Sequence, residues 1–324
     1  MRRIVRSFLV LAPLIVACSA EGPTVPRRAG GDRLLDRGDA PGRVLRYTSI
    51  DVPGARLTSA SGINARGDIV GTYADGGGSH GFLLRDGEFT TIDFPGAAGT
   101  EARGIGPSGE IVGDYWLARE PAVAFHGYLR TKDGEFVPVR APGHLNEILQ
   151  RILPDGTILG CRHDNDLMAS MRGIAITGDG VTEIEQFASM HNGSTPDGRR
   201  VVGLWTNMMA GRREGYVIDD GVFRSFVVPG SSSTSAWDVN PAGDIVGVYR
   251  TGAGTPAAPF VLHGFVRHDR GSSESDVTYS SVEVPGASST QALGINARGD
   301  IVGSYVLGGK THGFVARWER ADPR

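Results

Sequence analysis

The run Gly294-Ile-Asn-Ala-Arg-Gly-Asp-Ile-Val-Gly303 recurs at Gly62 to Gly71. Looser copies end at Gly113, Gly160, Gly203 and Gly247. Six copies at spacings of 42, 47, 43, 44 and 56 residues are the mark of a repeat architecture, in which each unit buries its apolar surface only against its neighbours. A chain of 324 residues is long enough for two domains, but stacked repeats share one core and count as one.

The 48 glycines recur at fixed places in each unit, so they punctuate turns. The Pro-Gly strands (Tyr47 to Gly54, Phe89 to Gly96, Phe136 to Gly143, Phe223 to Gly230, Tyr279 to Gly286) are rich in β-branched and aromatic residues. Val181 to Phe187 is a divergent copy without Pro-Gly. A short strand precedes each Asn/Pro-x-Gly turn, a third follows it, and a fourth begins at His-Gly-Phe (His80, His126, His263, His312). Gly67, Gly109, Gly156, Gly198, Gly243 and Gly299 sit where a tight hairpin asks for positive φ, and Asp-Gly pairs mark a second hairpin. The stretch after Pro-Gly, such as Ala97 to Thr100, looks longer and shapeless, so it reads as the crossover between units.

A four-stranded meander therefore starts at the Gly-Ile strand and ends at Pro-Gly. The last unit, Ala292 to Trp318, lacks a fourth strand, while Val44 to Pro53 is a spare one. The remainders match, which predicts an all-β, six-bladed β-propeller over residues 44–324, closed by the N-terminal strand completing the last blade. Adjacent apolar pairs such as Ile69-Val70 and Ile301-Val302 agree, because blades are covered on both faces. A right-handed β-helix is the main rival, with coils usually shorter than these units.

The Gly-Ile-Asn-x-x-Gly-x-Ile-Val-Gly-x-Tyr run followed by His-Gly-Phe resembles the HAF family of bacterial extracellular repeats, over roughly Val44 to Trp318. The resemblance implies a propeller-type secreted or surface protein and little biochemistry. Kelch propellers are similar in layout but carry paired glycines and a tryptophan that are absent here.

The first 17 residues read as an export signal: a basic start, then the apolar run Phe8 to Ala17, too short to span a bilayer. Ile15-Val-Ala-Cys18 resembles a bacterial lipobox, which implies lipidation of Cys18, with Ile15 where leucine is usual. Cleavage after Ala20 and free secretion is the alternative. Residues 18–43, rich in Pro, Gly, Arg and Asp, read as a disordered tether. With Cys18 lipidated, Cys161 has no intrachain partner for a disulfide. The net charge of −3 falls to about −6 without the three signal arginines, so a nucleic-acid partner has no electrostatic support.

No catalytic motif is legible, and no cofactor or metal is implied. The four histidines invite a metal reading, but equivalent positions in different blades are related by rotation and do not meet. Hydrogen bonding within the blade is the simpler expectation. Tyr73, Tyr115, Trp205, Tyr249 and Tyr305 read as packing between blades, with a sugar-stacking platform as the alternative. Asp51, Asp93, Glu185 and Glu283, on the outermost strand, read as solvated or edge-protecting charges.

Function is sought where units depart from the repeat. Arg151, Arg162, His163, Asp164, Trp205, Trp237 and Asp238 are the candidate ligand-binding residues, expected to gather at one mouth of the ring. Cys161 with His163 lacks a facing base and an orienting third group, so a small buried apolar role suits Cys161 better than a nucleophilic one. Metal binding by His163, Asp164 and Asp166 lacks a diagnostic spacing. The reading is a monomeric, non-catalytic binding module of the cell envelope or surface, recognising a glycan or protein and reaching the membrane through its lipid anchor. An extracellular hydrolase or lyase with a pocket at the propeller mouth, near the third to fifth repeats, is the alternative.

Overall fold

The computed structural model describes residues 43–320, apart from 123, 142–145, 165–169, 185–186 and 270–275. The signal, Cys18, the tether up to residue 42, Glu185 and Asp166 lie outside the described residues.

Each repeat folds as an antiparallel meander. The first is β2 (Leu57–Ile63), β3 (Ile69–Ala74), β4 (Ser79–Arg85) and β5 (Glu88–Ile92), and the second is β6 (Gly99–Ile105), β7 (Ile111–Trp116), β8 (His126–Arg130) and β9 (Phe136–Val139). The third is β10 (Asn146–Ile152), β11 (Ile158–His163), β12 (Arg172–Thr177) and β13 (Gly180–Glu183). The fourth is β14 (Ser189–Ser194), β15 (Arg200–Asn207), β16 (Arg212–Asp219) and β17 (Val222–Phe226). The fifth is β18 (Ser233–Val239), β19 (Asp244–Thr251), β20 (Val261–Asp269) and β21 (Val277–Val282). The sixth contributes β22 (Ser289–Ile295), β23 (Ile301–Leu307) and β24 (Lys310–Arg320).

The N-terminal strand β1 (Arg43–Ile50) pairs antiparallel with β24 in unbroken register from Arg43–Arg320 to Ile50–Gly313. It supplies the fourth strand that the last repeat lacks, as the two unmatched ends of the sequence predict. Six separate sheets are not what the hydrogen bonds draw, however. Four meanders stand alone, while the first and last are joined by one parallel bridge, Leu57 to Thr311, into a single eight-stranded sheet. The bridge forms because β2 and β24 both begin at the same end of the molecule and lie side by side there.

The architecture is an all-β propeller. Its innermost strands β2, β6, β10, β14, β18 and β22 touch in cyclic order, with β22 returning to β2. Adjacent apolar pairs are buried on both sides, as in Ile69-Val70, Ile111-Val112 and Ile301-Val302. The supposed crossover is mostly strand: β6 already begins at Gly99, so each inner strand is longer than its repeat motif indicates. Every inner strand bulges two residues before its end, between Ala60 and Gly62 in β2 and between Ala102 and Gly104 in β6. Glycine is required at the centre of the second strand: a Cβ on Gly71 would overlap the Ser59 carbonyl and the Phe82 ring.

Each meander is stitched to the next at its Pro-Gly turn. Thr58, Thr100, Thr234 and Thr290 accept hydrogen bonds through Oγ1 from the backbone N–H of Val52, Phe94, Val228 and Val284, at 2.9–3.1 Å. In the third repeat Glu147 takes that position and accepts from Ala141 N–H at 2.9 Å.

The recurring histidines bond within their own meanders. His80 Nδ1 lies 2.8 Å from Asp93, His263 Nδ1 2.8 Å from Glu283, and His312 Nδ1 2.9 Å from Asp51. Those acidic residues are therefore not merely solvated edge charges; each anchors a histidine that stacks on the preceding Tyr73, Tyr249 or Tyr305. All four tyrosines of the set are buried, which suits packing and leaves no exposed face for stacking a sugar.

Candidate functional site: the propeller axis

The bulge turns one residue of each inner strand toward the axis. At the position following it, four repeats carry Gly62, Gly104, Gly193 and Gly294, and the other two carry Arg151 and Asp238. The glycines are forced by crowding. A Cβ on Gly62 would stand 2.8 Å from the Arg103 carbonyl, and one on Gly193 would stand 2.6 Å from Asp238 Cα. The two side chains that do occur here meet each other, with Arg151 Nη2 3.2 Å from Asp238 Oδ2.

Arg151 also donates from Nη1 to the carbonyls of Arg103 (2.9 Å) and Gln150 (2.8 Å), and from Nη2 to those of Ser61 (3.2 Å) and Leu293 (2.8 Å). One guanidinium thus binds the first, second, third, fifth and sixth meanders. Asp238 accepts in addition from the N–H of Ile295 (3.1 Å) and Val239 (3.0 Å). Burial pushes its carboxyl above the usual range, and the adjacent Arg151 draws it partly back. The pair is the floor of a recess of about 150 Å³ opening at the Asn/Pro-x-Gly turns. Ile63, Ile105, Ile152, Val239 and Ile295 form its wall, and Asn64, Asn240 and Asn296 stand at the rim. None of its lining residues is aromatic. The rim is firm, because Asn64 Oδ1 accepts the N–H groups of Arg66, Gly67 and Asp68 within its own turn.

The other candidates from the sequence do not join this pair, so the expected single cluster is not formed. Arg162 is held in a two-pronged ion pair with Glu183, at 2.8 and 2.9 Å. His163 is fully buried, donates from Nδ1 to the Asp164 carbonyl at 2.9 Å and leaves Nε2 without a partner. Burial pulls its pKa down. The Asp164 N–H is held by Ser170 Oγ at 2.9 Å. Trp205 packs between Phe187 and Phe223. Trp237 is the half-buried bulge residue of β18. Arg162 to Asp164 sit at the far ends of their strands from the Arg151 turn, since β10 and β11 run antiparallel from the hairpin at Gly156. That separation explains why one mouth cannot gather them all.

A second buried polar group lies in the second repeat, where the motif is well kept and the sequence offers little contrast. Arg103 forms ion pairs with Glu101 and Asp114, all three buried. Burial raises Glu101 to about 7, and Arg103 opposes that rise. Asp114 and Glu101 replace Thr72 and Ser59 of the first repeat, and that departure was the available signal. Cys161 is completely buried among Phe125, Ile148, Met171 and Leu204, and burial pushes its thiol up to about 12. Among the described residues no three His, Cys, Asp or Glu side chains form a metal-binding group.

No family model and no curated protein matches the chain. Solved propellers are similar to it at low identity. TolB from Acinetobacter baumannii is 13% identical with a TM-score of 0.48, over 88% of this chain and 65% of that one. A protein from Agrobacterium tumefaciens assigned as TolB is 13% identical with a TM-score of 0.47, over 87% and 99%. The β-propeller domain of the Trilobed protease from Pyrococcus furiosus is 12% identical with a TM-score of 0.41, over 83% and 85%.

Proposed function

We propose that the chain is a non-catalytic binding module of a bacterial envelope or cell surface: a six-bladed propeller of HAF-type repeats, closed by β1 and tethered through a lipidated Cys18. The cyclic contacts of the inner strands and the pairing of β1 with β24 support six blades in one ring. The observation that carries the functional reading is the Arg151–Asp238 floor. It blocks the axis with groups already bonded to each other and to backbone carbonyls, and leaves above it an apolar recess with a polar rim. Such a recess suits an apolar side chain presented by a protein partner better than a sugar ring, which would want an aromatic surface. The hydrolase alternative gains nothing from Cys161, whose thiol stays protonated and out of reach.

The test uses two exposed rim positions, Ala65 and Ala297, so that the core is undisturbed. Envelope extracts and a glycan array are screened against the wild type and against the double variant Ala65→Trp/Ala297→Trp. Retention of a protein partner by the wild type and its loss in the variant is expected. Capture that survives the blocked mouth, or selective glycan binding, would sink the reading.

A further inference from the structure

Five buried or half-buried arginines are matched to carboxylates: Arg103 to Asp114, Arg151 to Asp238, Arg162 to Glu183, Arg200 to Asp219 and Arg267 to Asp269. Arg213 and Arg250 are not. Neither forms an ion pair with a described carboxylate, and the Nε of Arg213 is shut off from solvent with no acceptor. Directly across the β15–β16 ladder from Arg213 stands Thr206, whose Oγ1 is likewise buried without a partner. Residues opposite each other on paired strands share a face, and the face can be identified from the strand period of two. Val202 and Val217, in phase with Thr206 and Arg213, pack on Ala236 and Ile245 of the fifth meander. Arg213 and Thr206 therefore look toward the fifth meander.

Arg250 belongs to that meander. Among the described residues its guanidinium makes one hydrogen bond, a long one from Nε to Ser232 Oγ at 3.4 Å, and lies 3.9 Å over the ring of Phe260. The two cations belong to one interface, since β16 packs on β18 and Arg250 is the ladder partner of Ser233 at the start of β18; burial lowers the Arg213 pKa, and the charge of Arg250 lowers it further. Two guanidiniums at one interface with no described carboxylate paired to either repel, and burial strengthens that repulsion. Arginine is a donor only, and its planar fork fits a carboxylate. The flank is apolar and open. Phe260 is 48% exposed, while Met208 and Met209, at the tip joining β15 to β16, are 83% and 101% exposed. The methionines and the ring lie in the connections between the second and third strands of adjacent meanders, so they share one face of the molecule, and exposed methionines suit an adaptable apolar ligand.

We propose that the Nη groups of Arg213 and Arg250 bind the carboxylate of a ligand whose apolar part lies on Phe260 and Met208. The end of a peptide chain with an apolar last residue and a medium-chain fatty acid share this chemistry. The site is at the strand ends away from the Asn/Pro-x-Gly turns, so it is separate from the axial recess and stands or falls without it.

Isothermal titration of the full chain with N-acetylleucine, octanoate, acetate and inorganic phosphate tests the site. N-acetylleucine or octanoate should bind at one site at least about tenfold tighter than acetate, and the tighter of the two identifies the source. Arg213→Gln and Arg250→Gln should each weaken that binding by about tenfold or more, the usual loss for a charge-assisted bond. Met208→Ser/Met209→Ser should weaken the apolar ligands and leave acetate unchanged. Arg213→Gln should melt at or above the wild-type temperature without added anion, since it removes a repulsive pair. Binding that is absent, that is indifferent to both arginines, or that favours phosphate over every carboxylate overturns the proposal. Ala65→Trp/Ala297→Trp should leave this binding unaltered, which separates it from the axial mouth.

Discussion

His312 Nδ1 lies 2.9 Å from Asp51 Oδ1, although 261 residues of chain separate them. The same bond joins His80 to Asp93 over 13 residues and His263 to Glu283 over 20. Ser49 Oγ likewise bonds Tyr305 Oη at 2.7 Å, as Thr91 Oγ1 bonds Tyr73 Oη at 3.0 Å. The first strand thus reproduces, contact by contact, what an outer strand does elsewhere. A double-mutant cycle on His312 and Asp51 should give a coupling of about 0.5–1 kcal/mol, close to that for His80 and Asp93. A measurable coupling at His80–Asp93 with none at His312–Asp51 would mean that the ends do not meet in solution.

Arg151→Ala leaves the buried Asp238 carboxylate without its countercharge, and should cost about 3–5 kcal/mol in urea unfolding. Adding Asp238→Gly, the residue type of four other repeats, should recover part of that loss. Strict additivity of the two changes would show that the pair does not act as a unit.

His191 is buried, with Nδ1 2.5 Å from Tyr216 Oη, and burial holds its pKa down to about 4. A histidine depressed in the fold contributes stability above its unfolded value of roughly 6.5 and loses it as pH falls toward 4. The full difference is about 3 kcal/mol at most. His191→Gln should flatten the stability profile between pH 6.5 and 4, read from denaturant midpoints. An unchanged slope would assign the acid sensitivity elsewhere.

Cys161 should resist a thiol reagent in the native protein at pH 8 and react at once in denaturant, since burial raises its thiol to about 12. Fast native labelling would reopen a nucleophilic role for this residue.

The meander boundaries were legible because turn glycines mark hairpins and because one terminal strand was spare while one strand place was empty. The start of each inner strand was not. Segments such as Gly99 to Ala102 and Asn146 to Leu149 vary, because their side chains answer the neighbouring meander rather than the repeat. At the axis, Arg151 and Asp238 stood out only as departures from glycine. That the two compensate each other depends on how the third and fifth meanders are placed about the axis, which no spacing encodes. Arg162 and Glu183 are a second compensating pair, so a departure from the repeat need not mark a ligand site. Arg213 and Arg250 had no signal at all, because an unmatched arginine and a solvated one look alike until partners can be counted.

The direction of β1 has a bearing on presentation. Arg43 pairs with Arg320, at the same end of the strands as the Asn/Pro-x-Gly turns. Arg43 therefore lies on the face where the recess opens. Under the proposed anchoring through Cys18, a partner in the recess would be held between the propeller and the bilayer. The methionine tip and its two arginines would then point to the outside world.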